Sequence, residues 1–525
     1  MASTGSITLD EMTQYGQNLS WGSVLVHLGL FLVTALFLVS VRRRYLSPIS
    51  HIPGPFLASF SRLWHLRQIW SGKQNLRLIE QHDYHGHFVR MAHNEVSVSH
   101  PGAVKALLLT TLPKGQWYAI VAFPDYRFYT PFSLLDPKDK NECSKYLSGG
   151  YLLHNVLKSE PAMDASMRKL FGWMDKFADE RRPMNLDEFF TFVAFDITGE
   201  VVFSKPFGFL DKGADVNRSI AMNLAMEAYI AFVGYLQWLH GLFANPLVTK
   251  LGVLPMGHLF DTTMAALAER RRNPDARADL AAHWFRGLDK AEQDGSRLFD
   301  LRCLQSFATA NVGAGSDTVS AGLQSFVYHL LRHPTGWRRI ADEIAEARGQ
   351  GRCRDDVVSY EDATRLPYLQ AAIKEGLRVF APITSQLEML TPRDTPVGLP
   401  RVAPKGGVTI GDHFFPEGVT LNVSPSIIHT SKEIWGADAR EFKPERWFAS
   451  DMASREKKFF IPWGVGYAAC PGQHIARMQL SKIAATLVRD YEVRQVVPGA
   501  EWRWSAWFTA VPHSWPVYVT RREGA

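Results

Sequence analysis

The sequence predicts one large globular domain carried behind a single transmembrane helix, and three observations lead there. Residues 21–41 form an uncharged, largely apolar run that three arginines close. After residue 56 no Pro-rich or Gly/Ser-rich linker interrupts the chain, so it reads as one unit, although its length would permit about two to four domains. Apolar residues then recur at helical spacing, notably in Leu301–Leu331 and after Gln473. The 525 residues are 46% hydrophobic and 21% charged, an ordinary globular composition with enough apolar side chains for a large core.

The first element is the apolar run WGSVLVHLGLFLVTALFLVSV, Trp21 to Val41. As a helix it would extend about 30 Å, the thickness of a bilayer's hydrocarbon core. Asp10 and Glu11 precede it, and Arg42, Arg43 and Arg44 follow at once. The positive-inside rule therefore makes residues 1–20 a lumenal tail and puts everything after residue 41 in the cytosol. A cleaved signal peptide is the competing reading. The run is too long for a typical h-region, and its arginines lie on the wrong side. Residues 42–55 are the basic stop and the hinge His51-Ile-Pro-Gly-Pro55. Two prolines around a glycine fix φ and remove backbone donors, so this is a stiff elbow rather than a tether.

The net charge of +6 is dispersed in short clusters, Arg42–Arg44, Arg270–Arg272 and Lys457 with Lys458. No basic stripe of the kind that binds nucleic acid is present, so nucleic acid is not an expected partner. The four cysteines, Cys143, Cys303, Cys353 and Cys470, are widely spaced and form no CxxC pair. Disulfide scaffolds and zinc ribbons are therefore not expected, which suits the reducing side of a membrane.

Chemistry concentrates toward the C-terminus. In FFIPWGVGYAACPGQHIARMQL, Phe459 to Leu480, the prolines and glycines delay any helix until after Gly472. Cys470 thus sits in a tight turn just before a helix N-terminus, where the dipole and free N–H groups lower a thiol pKa. Gly466 and Gly472 on either side would let a flat ligand approach the backbone. A thiolate so held suits a haem iron. A buried structural cysteine is the competing reading of this segment taken alone.

Two further constellations weigh on that choice. Glu375 and Arg378 are three apart on a helix with apolar neighbours, and Arg446 of Pro444-Glu-Arg446 would close a buried Glu–Arg–Arg cluster. Upstream, Ala310-Asn-Val-Gly-Ala-Gly-Ser-Asp-Thr318 lies within an apolar helical stretch. Gly315 invites a distortion there, with Asp317 and Thr318 as an acid–alcohol pair able to relay protons. A helix ending near Gly313 and a new one capped by Ser316 or Asp317 remains the alternative.

In this order and spacing the motifs resemble those of a microsomal cytochrome P-450. The likeness covers nearly the whole chain: anchor, Pro-Gly-Pro hinge, Ala314–Thr318, Glu375–Arg378, Pro444–Arg446 and the Cys470 loop. HIPGPFLASFSRLW, VAPKGGVTIGDHFFPEGV and PHSWPVYVTRR resemble the fungal pisatin-demethylase-like branch, many members of which serve secondary metabolism. The resemblance implies a mainly α fold with a small β region, and residues 56–525 as a haem-thiolate catalytic domain. It implies haem b, with Cys470 as axial iron ligand and Trp463, Gly466 and Gly472 in the loop beside it. Arg401 resembles the arginine that pairs with a haem propionate; Asp317 and Thr318 would cross the distal face.

The expected reaction is a monooxygenation, with O2 as co-substrate and electrons from NADPH delivered by NADPH-cytochrome P-450 reductase. The substrate would be a lipophilic small molecule reached from the endoplasmic reticulum membrane, roofed by the aromatic-rich region 207–260. Lys457 and Lys458 are candidates for the reductase contact, or else a solvated turn. The same haem site would also support desaturation, rearrangement or ring expansion. A non-catalytic haem-binding relic is a third reading.

The chain departs from the family pattern at several points. Trp463 stands where phenylalanine is usual. Ala468 replaces a cation expected on a propionate, leaving Tyr467 or Arg401 to compensate. Residues 136–145 lack the usual histidine and paired arginines, with Lys140 and Lys145 as the nearest substitutes. The segment Ala381 to Pro396 is longer than usual, either a real loop or an artefact of the gene model.

Overall fold

Helix α1 (Trp21–Tyr45) is about 37 Å long and buries none of its side chains. In the computed structural model, which describes residues 21–71, 74–251, 257–272, 277–383, 399–507 and 509–522, it is the one described helix long and apolar enough to cross a membrane. Arg42, Arg43 and Arg44 occupy its last turn, so the basic stop continues the span. There they also complement the negative end of the helix dipole. The elbow is docked as well as stiff. The Arg90 N–H donates to Pro53 O at 2.7 Å, Ile49 and Ile52 are buried, and a Cβ on Gly54 would lie 2.4 Å from Arg90 O. Arg90 Nη2 donates to Arg43 O at 2.6 Å, tying the anchor's last turn to the domain. Residues 1–20, expected to form a lumenal tail, lie outside the described residues.

The elbow meets a four-stranded sheet. Strands β1 (Phe88–Ala92) and β2 (Glu95–Val98) pair antiparallel; the sheet continues to β6 (Thr420–Val423) and ends at β3 (Leu399–Val402). Strands β4 (Val408–Ile410) and β5 (His413–Phe415) form a hairpin between β3 and β6. Strand β7 (Tyr491–Gln495) pairs with β10 (Val517–Arg521), and β8 (Arg503–Ala506) with β9 (Ala510–His513). The rest is helical, so the mainly α fold with a small β region holds.

The helices that build the interior are α2 (Pro137–Ser144), α3 (Leu186–Phe203), α4 (Ser219–Val233), α5 (Leu301–Leu331), α6 (Pro367–Val379) and α7 (Gln473–Asp490). Asp300 caps α5 by accepting from the Cys303 N–H at 2.8 Å. The helix then runs 31 residues without a break, against the expectation of a helix ending near Gly313. Gly315 serves packing instead of distortion. A Cβ there would lie 2.8 Å from Thr198 Oγ1, so its absence lets α3 approach, and Thr191 and Ser320 hydroxyls bond at 2.8 Å further along the contact.

Candidate thiolate site

Cys470 is held by the backbone of its own loop. Its N–H donates to Trp463 O at 2.7 Å, and Gly464 and Gly466 turn the chain with φ of +61° and +65°. A Cβ at Gly466 would lie 2.5 Å from Leu108 O, so this glycine answers both a left-handed turn and a neighbouring backbone. Gly472 answers neither: its φ is −77°, and a Cβ there would meet only Cys470 Sγ, at 4.0 Å. The Trp463 ring packs partly buried beneath the Arg477 guanidinium, 5.7 Å from its centroid.

The N–H groups of Gly472 and Gln473, opening α7, point to the Cys470 sulfur. They were expected to lower its pKa. Burial outweighs them and pushes the thiol up. A stable thiolate here therefore calls for a cation on the sulfur, as a bound iron provides. Opposite, α5 is mostly buried, yet Ala310, Asn311, Ala314 and Thr318 keep accessible surface along one face. Tyr151 spans the gap: its hydroxyl donates to Asn311 Oδ1 at 2.6 Å, and burial, then the nearby Cys470, hold its pKa well above the ordinary value.

Asp317 and Thr318 do not share a direction. The Thr318 hydroxyl donates to Ala314 O at 2.8 Å on the accessible face. Asp317 is buried, accepts from Asn223 Nδ2 of α4, and lies against Glu227 one helical turn further on. Its pKa is pushed up by burial to about 7.

Beside the loop lies a cluster of cations, two buried and one half-buried. Arg401 on β3 is 1% exposed; its Nη1 donates to the Tyr118 hydroxyl at 3.3 Å and to Pro400 O at 3.0 Å, while its Nε has no partner. Tyr118 and Tyr467 rings flank its guanidinium at 5.8 and 5.6 Å. Lys114 is 3% exposed and donates to Pro131 O and Phe132 O, both at 2.8 Å. Burial, then Arg401 and Lys140, push its pKa down to about 7. Lys140 on α2 approaches the Tyr467 ring to 5.9 Å. Lys145 instead pairs with Glu142 at 2.9 Å and is no part of the cluster. Among the described residues no carboxylate pairs with Arg401, Lys114 or Lys140. Lys114 comes from a segment remote in sequence from Ala468. Three cations without a counter-anion fit the two carboxylates of a haem, so the residues present suit that group.

On the other flank, Arg378 makes two bonds to Glu375, Nε to Oε2 at 2.9 Å and Nη2 to Oε1 at 2.8 Å. Its remaining donors reach the carbonyls of His429, Ala439 and Glu441. Arg446 Nε also donates to Glu375 Oε1 at 2.8 Å, closing the expected cluster. The Trp447 indole and the Lys443 N–H add two bonds to the same carboxylate, both at 2.9 Å. Sequence reasoning missed Lys114, Tyr118, Tyr151, Asn223 and Glu227; only the lysine, set between Pro113 and Gly115, carried any local signal, as a charge in an apolar stretch.

Fold and site together define a deep thiolate centre roofed by one long helix and flanked by a cationic cradle. Residues 53–502 match the cytochrome P450 family model. A cytochrome P450 monooxygenase of Aspergillus terreus is 30% identical over 480 residues, spanning 88% of this chain and 94% of that protein. The cytochrome P450 monooxygenase cicH of Emericella nidulans is 27% identical over 509 residues, 93% of this chain and 97% of its own. A pisatin demethylase of Fusarium vanettenii is 26% identical over 509 residues, 94% and 95% of the two chains. The chain belongs to the cytochrome P450 family. It is accordingly an oxidoreductase of the monooxygenase type with haem b as cofactor. A haem bound there would supply oxygen activation, and Cys470 would be the residue to hold its iron.

Proposed function

We propose that this is a membrane-anchored monooxygenase of fungal secondary metabolism, of the pisatin-demethylase-like branch, that oxidises a lipophilic small molecule. Cys470 is the axial ligand to the haem iron. Lys114, Lys140, Arg401 and the Tyr118 and Tyr467 hydroxyls hold the propionates. Thr318, on the accessible face of α5, handles protons for bound oxygen, with Asp317 behind it. The observation that carries the reading is the cation cluster beside a buried cysteine. A relic need not keep two buried cations and a half-buried one without a paired carboxylate, and Ala468, the main support for a relic, is answered by Lys114.

Electrons come from NADPH through a separate reductase. Lys457 and Lys458 are exposed on the helix Met452–Phe459 that precedes the Cys470 loop, a cationic face for an acidic partner. The domain lies on the cytosolic side of the endoplasmic reticulum membrane. Trp238, Leu242, Leu247 and Leu251 are exposed in the roof region at 72, 59, 68 and 66%, and Phe56, Leu57, Leu63 and Trp70 are exposed near the anchor. Trp70 stacks edge-on to Phe232 of α4, so the two apolar groups adjoin. This surface supports a lipid-facing entrance for the substrate. Segment 384–396 of the long stretch that follows α6 lies outside the described residues.

The test is the carbon monoxide difference spectrum of the reduced, haem-loaded protein. A thiolate-type Soret shift is expected in the wild type and its loss in Cys470→Ser. An unshifted wild-type spectrum rejects Cys470 as ligand. Product analysis with a reconstituted reductase then separates oxygen insertion from desaturation or rearrangement: a product without added oxygen sinks the hydroxylase reading.

A further inference from the structure

Asp317, turned away from the Thr318 hydroxyl, has polar partners of its own. It sits at a three-way junction. Asn223 and Glu227 come from α4, one turn apart on the same face, and Thr509 comes from the bend that joins β8 to β9. Glu227 is 6% exposed and Asp317 1%. Asn223 Nδ2 donates to Asp317 Oδ2, and the Thr509 N–H donates to Glu227 Oε2 at 3.2 Å. Among the described residues, Asp317 Oδ1 is buried and receives no N–H or hydroxyl donor. The Glu227 carboxyl, one turn from Asn223 on the same face of α4, interacts with the Asp317 carboxyl. No lysine, arginine or histidine among the described residues pairs with either acid.

Two buried carboxyls in contact, with no cation beside them, cannot both be ionised. The hydrogen bonds decide which one carries the proton. The Asn223 amide donates to Asp317 and favours its carboxylate, and a protonated Glu227 supplies Asp317 with a further donor.

Resting on the monooxygenase reading, we propose that Glu227 is the positioning residue of the proton relay: it bears the proton that Asp317 passes toward the oxygen site. In the step, the Glu227 O–H bond breaks and an O–H bond forms on Asp317 Oδ1. Glu227 is left as a carboxylate that keeps the Thr509 N–H. Asp317 then gives the proton to a water molecule that leads to the Thr318 face and returns to carboxylate, and hydronium from solvent reprotonates Glu227. One proton enters and one leaves, with no electron moved. Because Glu227 rides on α4 and Asp317 on α5, the relay is complete only while the roof helix is packed on α5. Substrate entry and proton delivery are thereby linked through one helix.

The experiment uses the full-length, haem-loaded protein in detergent with its reductase. Infrared spectra in H2O and D2O at pH 8.5 should show a deuterium-sensitive carbonyl band of a neutral buried acid, absent in Glu227→Gln and displaced in Asp317→Asn. With NADPH and O2 but no added substrate, Glu227→Gln should slow NADPH consumption at least about tenfold and abolish its solvent isotope effect, while Glu227→Asp restores part of both. The thiolate-type carbon monoxide spectrum should be unchanged in all three. A band that survives in Glu227→Gln, or a wild-type rate with a wild-type isotope effect, overturns the proposal. If Glu227→Gln fails to fold, an undisplaced band in Asp317→Asn overturns it equally. Loss of the thiolate-type spectrum in the wild type instead rejects the monooxygenase reading itself.

Discussion

Two buried charge clusters flank Cys470, and they are built on opposite principles. Around Glu375 every charge is answered within the chain: one carboxylate takes two guanidiniums, an indole N–H and a backbone N–H, and the spare donors of Arg378 meet three carbonyls. Around Arg401 the described residues supply cations and tyrosines and no paired carboxylate. Buried charge is tolerated only when paired. The first cluster therefore has its partners from the protein and acts as a clamp. The second fits the proposed role of a receptor for a dianionic ligand. The difference separates structure from binding where residue type alone would not, since each is built on a buried arginine.

That contrast is broken most severely by Glu375→Gln, which leaves Arg378 and much of Arg446 without their anion. A loss of about 3–5 kcal/mol is expected in chemical unfolding, with or without haem. A loss below about 1 kcal/mol would show that the carbonyls alone satisfy the clamp. Arg401→Met probes the other side and should reverse sign with the cofactor. Without haem the variant should be as stable as the wild type or more so, because an unpaired buried charge has gone. With haem, affinity should fall about tenfold or more, read by transfer of haem to an acceptor protein. Lys114→Met should follow the same crossover with a smaller amplitude, its charge being already weakened by burial. Equal destabilisation of both forms by Arg401→Met would make the second cluster another clamp.

The clamp was legible in the sequence and the receptor only in part. Glu375 and Arg378 share a helix turn, and Arg446 belongs to a motif of fixed order, so local spacing announced the group. The receptor is assembled from β3, α2 and the segment around Lys114, which meet only through tertiary contacts such as Gly115 N–H to Pro400 O at 3.1 Å. No spacing rule links residues 114 and 401. The same limit applies to Asp317: its position beside Thr318 in sequence suggested a common direction, whereas neighbours on a helix diverge by about 100° and their side chains part company. The anchor, read from twenty-one uncharged residues, needed no tertiary context, and the helix that carries it agrees.

His429 joins the clamp to the Cys470 loop and gives the mildest test. Its carbonyl accepts from Arg378 Nη1 at 2.6 Å, and its ring Nε2 accepts the Ile461 N–H at 2.9 Å, just ahead of Trp463. Accepting that bond requires a neutral ring. Burial, then the Arg378 charge, push its pKa down to about 3 from an ordinary 6.5. The unfolded chain binds this proton near pH 6.5 and the folded chain only near 3. The stability it contributes is therefore full above pH 6.5 and is lost as pH falls through that window. At pH 5.5 the loss from this side chain is about 1.4 kcal/mol. Glutamine can accept the same N–H without titrating, so His429→Gln should flatten the acid limb of stability by that amount while leaving neutral-pH stability within about 1 kcal/mol. His329, also pushed down by burial, to about 4, stays in both proteins, so only the difference between them reports on His429. An unchanged acid slope would place the Ile461 contact outside the forces that hold the cysteine loop.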